Sequence, residues 1–142
     1  MSRVGVDSPI AGPLEGIKVL DFSALIAGPS CGKYLAAHGA DVVKVERFPA
    51  GDVSRQWTVG PSADRSSMFL QHNAGKRGVC IDLKASEGLK VALELAAQSD
   101  VVIDAFTPGV MDRLGLGYEA LRSLNERIIV CSISGFGQDG PN

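Results

Sequence analysis

Apolar residues in this chain fall into short runs that alternate with longer amphipathic stretches. The short runs are Ile17-Lys-Val-Leu-Asp-Phe22, Asp41-Val-Val-Lys-Val-Glu46, Val79-Cys-Ile-Asp-Leu83, Val101-Val-Ile-Asp104 and Ile128-Ile-Val-Cys-Ser-Ile133. They are rich in Val and Ile and show little polar alternation, which predicts strands buried on both faces of a parallel sheet. Between them lie helix-like stretches. One follows Ala27 and closes at His38-Gly39, with Pro29 in its first turn and Gly39 past its end. Another follows Ser86, read as its N-cap, and carries the apolar positions Leu89, Val91, Leu93 and Leu95 with Ala92, Ala96 and Ala97. Pro108–Leu114 and Tyr118–Leu124 predict two short helices. Residues 47–78 break the rhythm with Gly51, Gly60, Pro61 and Gly75, which predicts a functional loop with one short helix near Met68–His72.

Strands alternating with helices give an α/β fold, a Rossmann-like, mostly parallel sheet flanked by helices. Residues 1–12 have no periodicity and are expected to form a flexible N-terminal tail, with the domain over 13–142. In such sheets ligands bind at the C-terminal ends of the strands. The loops to watch are therefore 23–29, 46–55, 83–86, 104–108 and 134–141.

Composition narrows the classes. The chain has 142 residues, 45% hydrophobic and 21% charged, with a net charge of −2. That length supports one domain with a core of its own. The charge gives no global attraction to nucleic acid or membrane, and no apolar run approaches the roughly 20 residues of a bilayer span. Cys31, Cys80 and Cys131 are widely spaced and form no CxxC pair, so reduced thiols are expected. A cytoplasmic location is expected, because the N-terminus carries no signal-peptide pattern.

The first βα turn, Ser23-Ala-Leu-Ile-Ala-Gly28-Pro29, lacks the GxGxxG fingerprint, which argues against a nicotinamide dinucleotide. Arg47 follows Glu46 at the end of the second strand. A guanidinium there favours a ligand with a phosphate on its ribose, as in NADP or coenzyme A, unless Glu46 and Arg47 are simply a solvated charge pair. Arg55, Lys76, Arg77, Lys84 and Arg113 are placed near the same rim, with Lys76-Arg77 able to neutralise a diphosphate. Such a local positive cluster in an acidic chain suits a small anion better than a nucleic-acid track. Asp104 is read as capping the turn after its strand and Asp82 as structural. His38 is read as a helix-end cation. No HxxxH or HExxH set is present, and no metal site is expected.

Several stretches together resemble the class III coenzyme A transferase family, to which an alpha-methylacyl-CoA racemase also belongs. They are Pro13–Phe22, Ala27–Cys31, Leu35–Glu46, Gly51-Asp52 with Arg55, Asn73–Arg77, Ile81–Lys84 with Glu87-Gly88, Asp100–Phe106, Pro108–Leu116 and Ser132–Gln138. Their order and spacing carry the match from Pro13 to the end of the chain. The resemblance implies a fold incomplete relative to the whole family, with no tightly bound cofactor and with coenzyme A or acyl-CoA as substrate. Its implied coenzyme contacts are Leu25, Ile26, Ala27, Arg47, Ile81, Lys84, Ala105, Phe106, Thr107 and Arg113, beside Lys76 and Arg77 from the charge pattern. The family commonly has Glu-Asn-Phe where this chain has Asp104-Ala105-Phe106, which removes one polar side-chain contact.

The resemblance also implies transfer of CoA between a carboxylic acid and an acyl-CoA through an aspartyl intermediate. The nucleophilic aspartate is expected beyond Asn142, and Asp139 comes too early to match it. The full-length family forms an interlocked homodimer with a second, smaller domain. Racemase chemistry and a non-catalytic CoA-binding module are the alternatives. The stretch Gly51–Trp57 resembles the transferases more.

Overall fold

The computed structural model describes residues 12–57 and 66–140. The strands are β1 (Lys18–Asp21), β2 (Asp41–Arg47), β3 (Arg77–Ile81), β4 (Val101–Asp104) and β5 (Ile129–Ser132). The helices are α1 (Ala27–Ala37), α2 (Ser67–Asn73), α3 (Ser86–Ala97), α4 (Val110–Arg113) and α5 (Tyr118–Leu124), with a 3₁₀ turn at Val53–Gln56. All the strands pair in parallel, in the order β3-β2-β1-β4-β5. This is the expected Rossmann-like plan, and the chain reverses direction across the sheet between β1 and β4. Residues 1–11 of the expected tail lie outside the described residues. Gly12 is already packed on the domain, against His38 and Gly39, and Leu14 N–H donates to His38 O at 2.9 Å.

Alternation along the strands separates two cores. Leu20, Phe22, Val45, Ile81 and Val102 point to one face, where Ala92 and Ala96 of α3, Met111 of α4 and Leu121 of α5 cover them. Val19, Val42 and Ile103 point to the other face and meet Cys31, Leu35 and Ala36 of α1. The second face turns polar toward the strand ends. Asp21, Lys44 and Glu46 follow Val19 and Val42 in the two-residue period, so buried charges sit beside α1 on the same side of the sheet.

Small corrections follow from local chemistry. β3 begins at Arg77 and ends at Ile81, two residues earlier than the apolar run suggests, because it pairs with β2 from Val43↔Arg77 to Arg47↔Ile81. Ser86 is the first residue of α3 rather than its cap: Ala85 occupies the cap position, with no side-chain bond. Asp82 is exposed just past β3 and accepts from Lys84 N–H at 2.9 Å, which turns the chain into α3. Asp104 does cap its turn, accepting from Phe106 N–H at 3.2 Å, and it also takes the Ser132 hydroxyl at 2.6 Å. His38 closes α1, its Nδ1 2.7 Å from Tyr34 O, and Gly39 follows with φ of 100°.

Ile103, on β4 between β1 and β5, has no exposure. Ile103→Ala is expected to lower unfolding free energy by about 2–5 kcal/mol. Urea denaturation of the two proteins measures it, and a change under about 1 kcal/mol would contradict this placement.

Candidate functional site

A cavity of about 860 Å³ opens above the C-terminal ends of β1, β2 and β3. Phe22, Leu83, Phe106 and Leu114 supply apolar wall, and Arg47 and Lys84 supply positive charge. This is where an open parallel sheet presents loops to a ligand. A large apolar wall with a few cations suits an elongated anionic ligand with an aromatic or aliphatic portion.

The polar floor of the site is a network that sequence patterning did not single out. Lys44, on β2, is 2% exposed. Its ammonium donates to Ser23 O at 2.7 Å and lies 2.8 Å from Asp52 Oδ2. This contact is a buried ion pair. Asp52 Oδ1 accepts from Ser54 N–H at 2.8 Å and from the Ser54 hydroxyl at 2.7 Å. Asp52 N–H donates to Glu46 Oε2 at 2.8 Å. Arg55 grips Glu46 through two bonds of 2.7 Å, and its guanidinium lies 3.6 Å from the centre of the Phe69 ring. Glu46 therefore pairs with Arg55 and not with its neighbour Arg47. Both carboxylate oxygens of Glu46 are engaged within the protein.

A second buried pair lies under α1. Lys76 Nζ donates to Asp21 Oδ2 at 2.7 Å, to Pro29 O at 2.8 Å and to Asn73 Oδ1 at 3.0 Å. Asp21 also receives the Ser23 hydroxyl and backbone N–H. Gly32 is needed beside this pair, since a Cβ there would lie 2.8 Å from Asp21 Oδ2. Gly28 is needed one turn earlier, because a Cβ would collide with the Ser23 side chain.

These contacts correct the rim as read from the sequence. Lys76 has a side chain 1% exposed and commits its ammonium to Asp21, so it is not presented to a diphosphate. Arg77 opens β3, at the N-terminal edge of the sheet away from the cavity. It pairs with Asp41 through bonds of 2.9 and 2.6 Å. Arg55 is held by Glu46. Arg47, Lys84, Ile81 and Phe106 line the cavity. Leu25, Ile26 and Ala27 are exposed on the adjoining β1–α1 turn, Ala105 and Thr107 follow β4, and Arg113 is exposed on α4. A lysine in the middle of an apolar strand, with a Gly-Asp pair shortly after it, was the available sequence signal for Lys44 and Asp52.

Charges in the network shift as their surroundings require. Burial would raise the Glu46 carboxyl, but Arg55 and the Asp52 amide outweigh it and hold it below the usual carboxylate range. Burial likewise opposes Asp52, and Lys44 and Ser54 outweigh it. Burial pushes the Lys76 ammonium down, with Asp21 opposing. Burial pushes the Cys31 thiol up, helped by neighbouring Cys131. Among the described residues, no cluster of His, Cys, Asp and Glu could hold a metal ion.

Glu46 and Asp52 have lower pKa values folded than unfolded, so both stabilise the fold above their unfolded values, about 4.3 and 3.9. That contribution is lost as pH falls through the lower folded values. The urea midpoint is expected to drop as pH is lowered from about 5 to about 3, and Glu46→Gln should flatten the decline. An equally steep decline in the variant would exclude Glu46 as a contributor.

Residues 14–142 match the family described as CoA-transferase family III. The chain is 41% identical over 129 residues to "Succinyl-CoA:glutarate CoA-transferase" of Homo sapiens, covering 91% of this chain and 30% of that protein. It is 43% identical over 125 residues to "Formyl-CoA:oxalate CoA-transferase" of Bradyrhizobium sp. (strain ORS 278), covering 87% and 29%. The crystal structure of Rv3272 from M. tuberculosis, orthorhombic form, matches with a TM-score of 0.86 at 41% identity, covering 92% of this chain and 37% of that one. That of a CAIB/BAIF family protein from Brucella suis matches with a TM-score of 0.85 at 41% identity, covering 92% and 35%. The chain thus spans 29–37% of the length of these relatives. With nearly all of its length matched by the family and a parallel fold shared with such relatives, the chain belongs to CoA-transferase family III.

Proposed function

We propose that this chain forms the coenzyme A-binding face of an enzyme that moves CoA between a carboxylic acid and an acyl-CoA. The observation that carries the reading is the family match over 14–142, together with a cavity at the strand ends whose exposed cations are Arg47 and Lys84. The apolar wall of Phe22, Leu83 and Phe106 would hold the flat or aliphatic parts of the coenzyme. Arg47 would take the ribose phosphate, and Lys84 and Arg113 would screen the remaining phosphates. Leu25, Ile26 and Ala27, and Ile81, Ala105 and Thr107, would offer backbone and apolar contacts.

The chemistry of such an enzyme is nucleophilic catalysis by a carboxylate. An aspartate attacks the thioester carbonyl, and the C–S bond breaks to give a mixed anhydride and the CoA thiolate. The thiolate then attacks the aspartyl carbonyl, releasing the donor acid and leaving an aspartyl thioester. The acceptor acid reverses these steps. We place the aspartate in the part of the family that this chain does not span, so the chain binds the coenzyme and does not turn it over. In the whole protein, an interlocked homodimer would complete the site, in the cytoplasm.

Titration calorimetry tests the reading directly. The chain is expected to bind CoA, and Arg47→Gln to weaken that binding about tenfold, the loss of one charge-assisted contact. Dephospho-CoA, which lacks the ribose phosphate, should bind Arg47→Gln as well as it binds the parent chain. No heat with millimolar CoA would sink the assignment, and acyl exchange by the chain alone would overturn the placement of the nucleophile.

A further inference from the structure

Two loops frame the cavity: the β1–α1 turn, Ser23–Ile26, and the loop after β2 that runs through Asp52 into the 3₁₀ turn. They are joined by one pair of side chains. Lys44 reaches the first loop through Ser23 O at 2.7 Å and the second through Asp52 at 2.8 Å. Asp52 Oδ1 in turn faces Leu25 N–H at 3.4 Å.

The β1–α1 turn needs holding from outside. Its flanks are fixed, since Phe22 N–H donates to Ile103 O at 2.8 Å and Ser30 N–H donates to Ile26 O at 2.8 Å. Between them Leu25 has φ of 70°, the left-handed region that a branched side chain disfavours. It is the one non-glycine residue with positive φ among the described residues. α1 has no side-chain cap to set its entry, because Ile26 occupies that position. The groups that reach into the turn are the Lys44 ammonium and the Asp52 carboxylate, beside the Asp21 bonds to Ser23.

We infer that Lys44 and Asp52 are positioning residues that hold the β1–α1 turn in the shape that receives the coenzyme. This rests on the reading of the rim as a coenzyme A site. Both belong to the cavity floor, but Lys44 is 2% exposed and Asp52 3%, and their charged groups are committed to each other and to the two loops. Their effect runs through the backbone of Ser23 and Leu25. A pre-formed turn removes an ordering cost from binding, which is how a buried pair comes to govern affinity.

The alternative role is stability alone, and the test separates the two. Replacing a whole buried ion pair by neutral side chains is often tolerated, whereas removing one partner leaves a bare charge. The decisive variant is therefore Lys44→Met/Asp52→Asn. Leu121→Ala, in the opposite core, is the control for general destabilisation. In the double variant, amide hydrogen exchange over residues 23–27 is expected to quicken about tenfold or more, with β4 unchanged. The calorimetric Kd for CoA is expected to rise about tenfold. Leu121→Ala should lower the urea midpoint while leaving both readouts alone. If the double variant does not fold, Ser54→Ala, which removes one bond that fixes Asp52 and keeps both charges, takes its place with a threefold effect expected on both readouts, about 0.7 kcal/mol.

Parent-like exchange in a folded variant would overturn the inference. Faster exchange with an unchanged Kd would overturn it too, because the pair would then hold the turn without serving the site. If the parent chain itself binds no CoA, the coenzyme reading fails, and faster exchange at 23–27 still supports the holding role.

Discussion

A charge placed inside a parallel sheet has to be met by its opposite, and that demand shapes the whole ligand end of this molecule. Lys44 stands on β2 where a valine would be ordinary. Its ammonium draws Asp52 back over the strand end, and Asp52 fixes the 3₁₀ turn through Ser54. The turn delivers Arg55 to Glu46, and Phe69 of α2 covers the guanidinium. Over residues 48–57 the buried side chains of this loop are those of Asp52 and Ser54, and the loop takes its form from this succession of charges.

The same economy explains how an acidic chain presents a positive rim. Lys44, Lys76, Arg55 and Arg77 each meet a carboxylate of the protein itself. Arg47, Lys84 and Arg113 make no ion pair among the described residues. Lys18, Lys33, Lys90, Arg122 and Arg127 are unpaired as well, but of these unpaired cations only Arg47 and Lys84 line the cavity. The buried Lys44 and Lys76 neutralise the protein's own carboxylates, which leaves Arg47 and Lys84 as the charges the cavity presents.

Much of the fold was legible because its periodicities are clean. The Val- and Ile-rich runs mark the strands, and Gly39 and Pro29 bracket α1 as local conformational preference requires. The site was legible only in part. Arg47 could be placed because it ends a strand, and position along a strand fixes the sheet edge. Arg77 comes at the start of β3, which puts it at the opposite sheet edge from Arg47. Lys76 precedes β3, yet its long side chain travels under α1 to Asp21, and no local pattern records that path. Glu46 and Arg47 are adjacent in sequence, but alternation sends one inward and the other to the rim. Partners such as Lys44 and Asp52 are set by tertiary approach, where sequence spacing says least.

Gly28 shows how close packing restricts what descendants of this sequence can explore. Any side chain at position 28 would run into Ser23. Ser23 is itself occupied, since its hydroxyl and amide belong to Asp21 and its carbonyl to Lys44. A larger residue at 28 requires a smaller one at 23, and a smaller one at 23 gives up a bond to a buried carboxylate. The two positions are therefore yoked in evolution. Each single step is expected to cost stability, and a side chain at 28 is sterically compatible only with a smaller residue at 23.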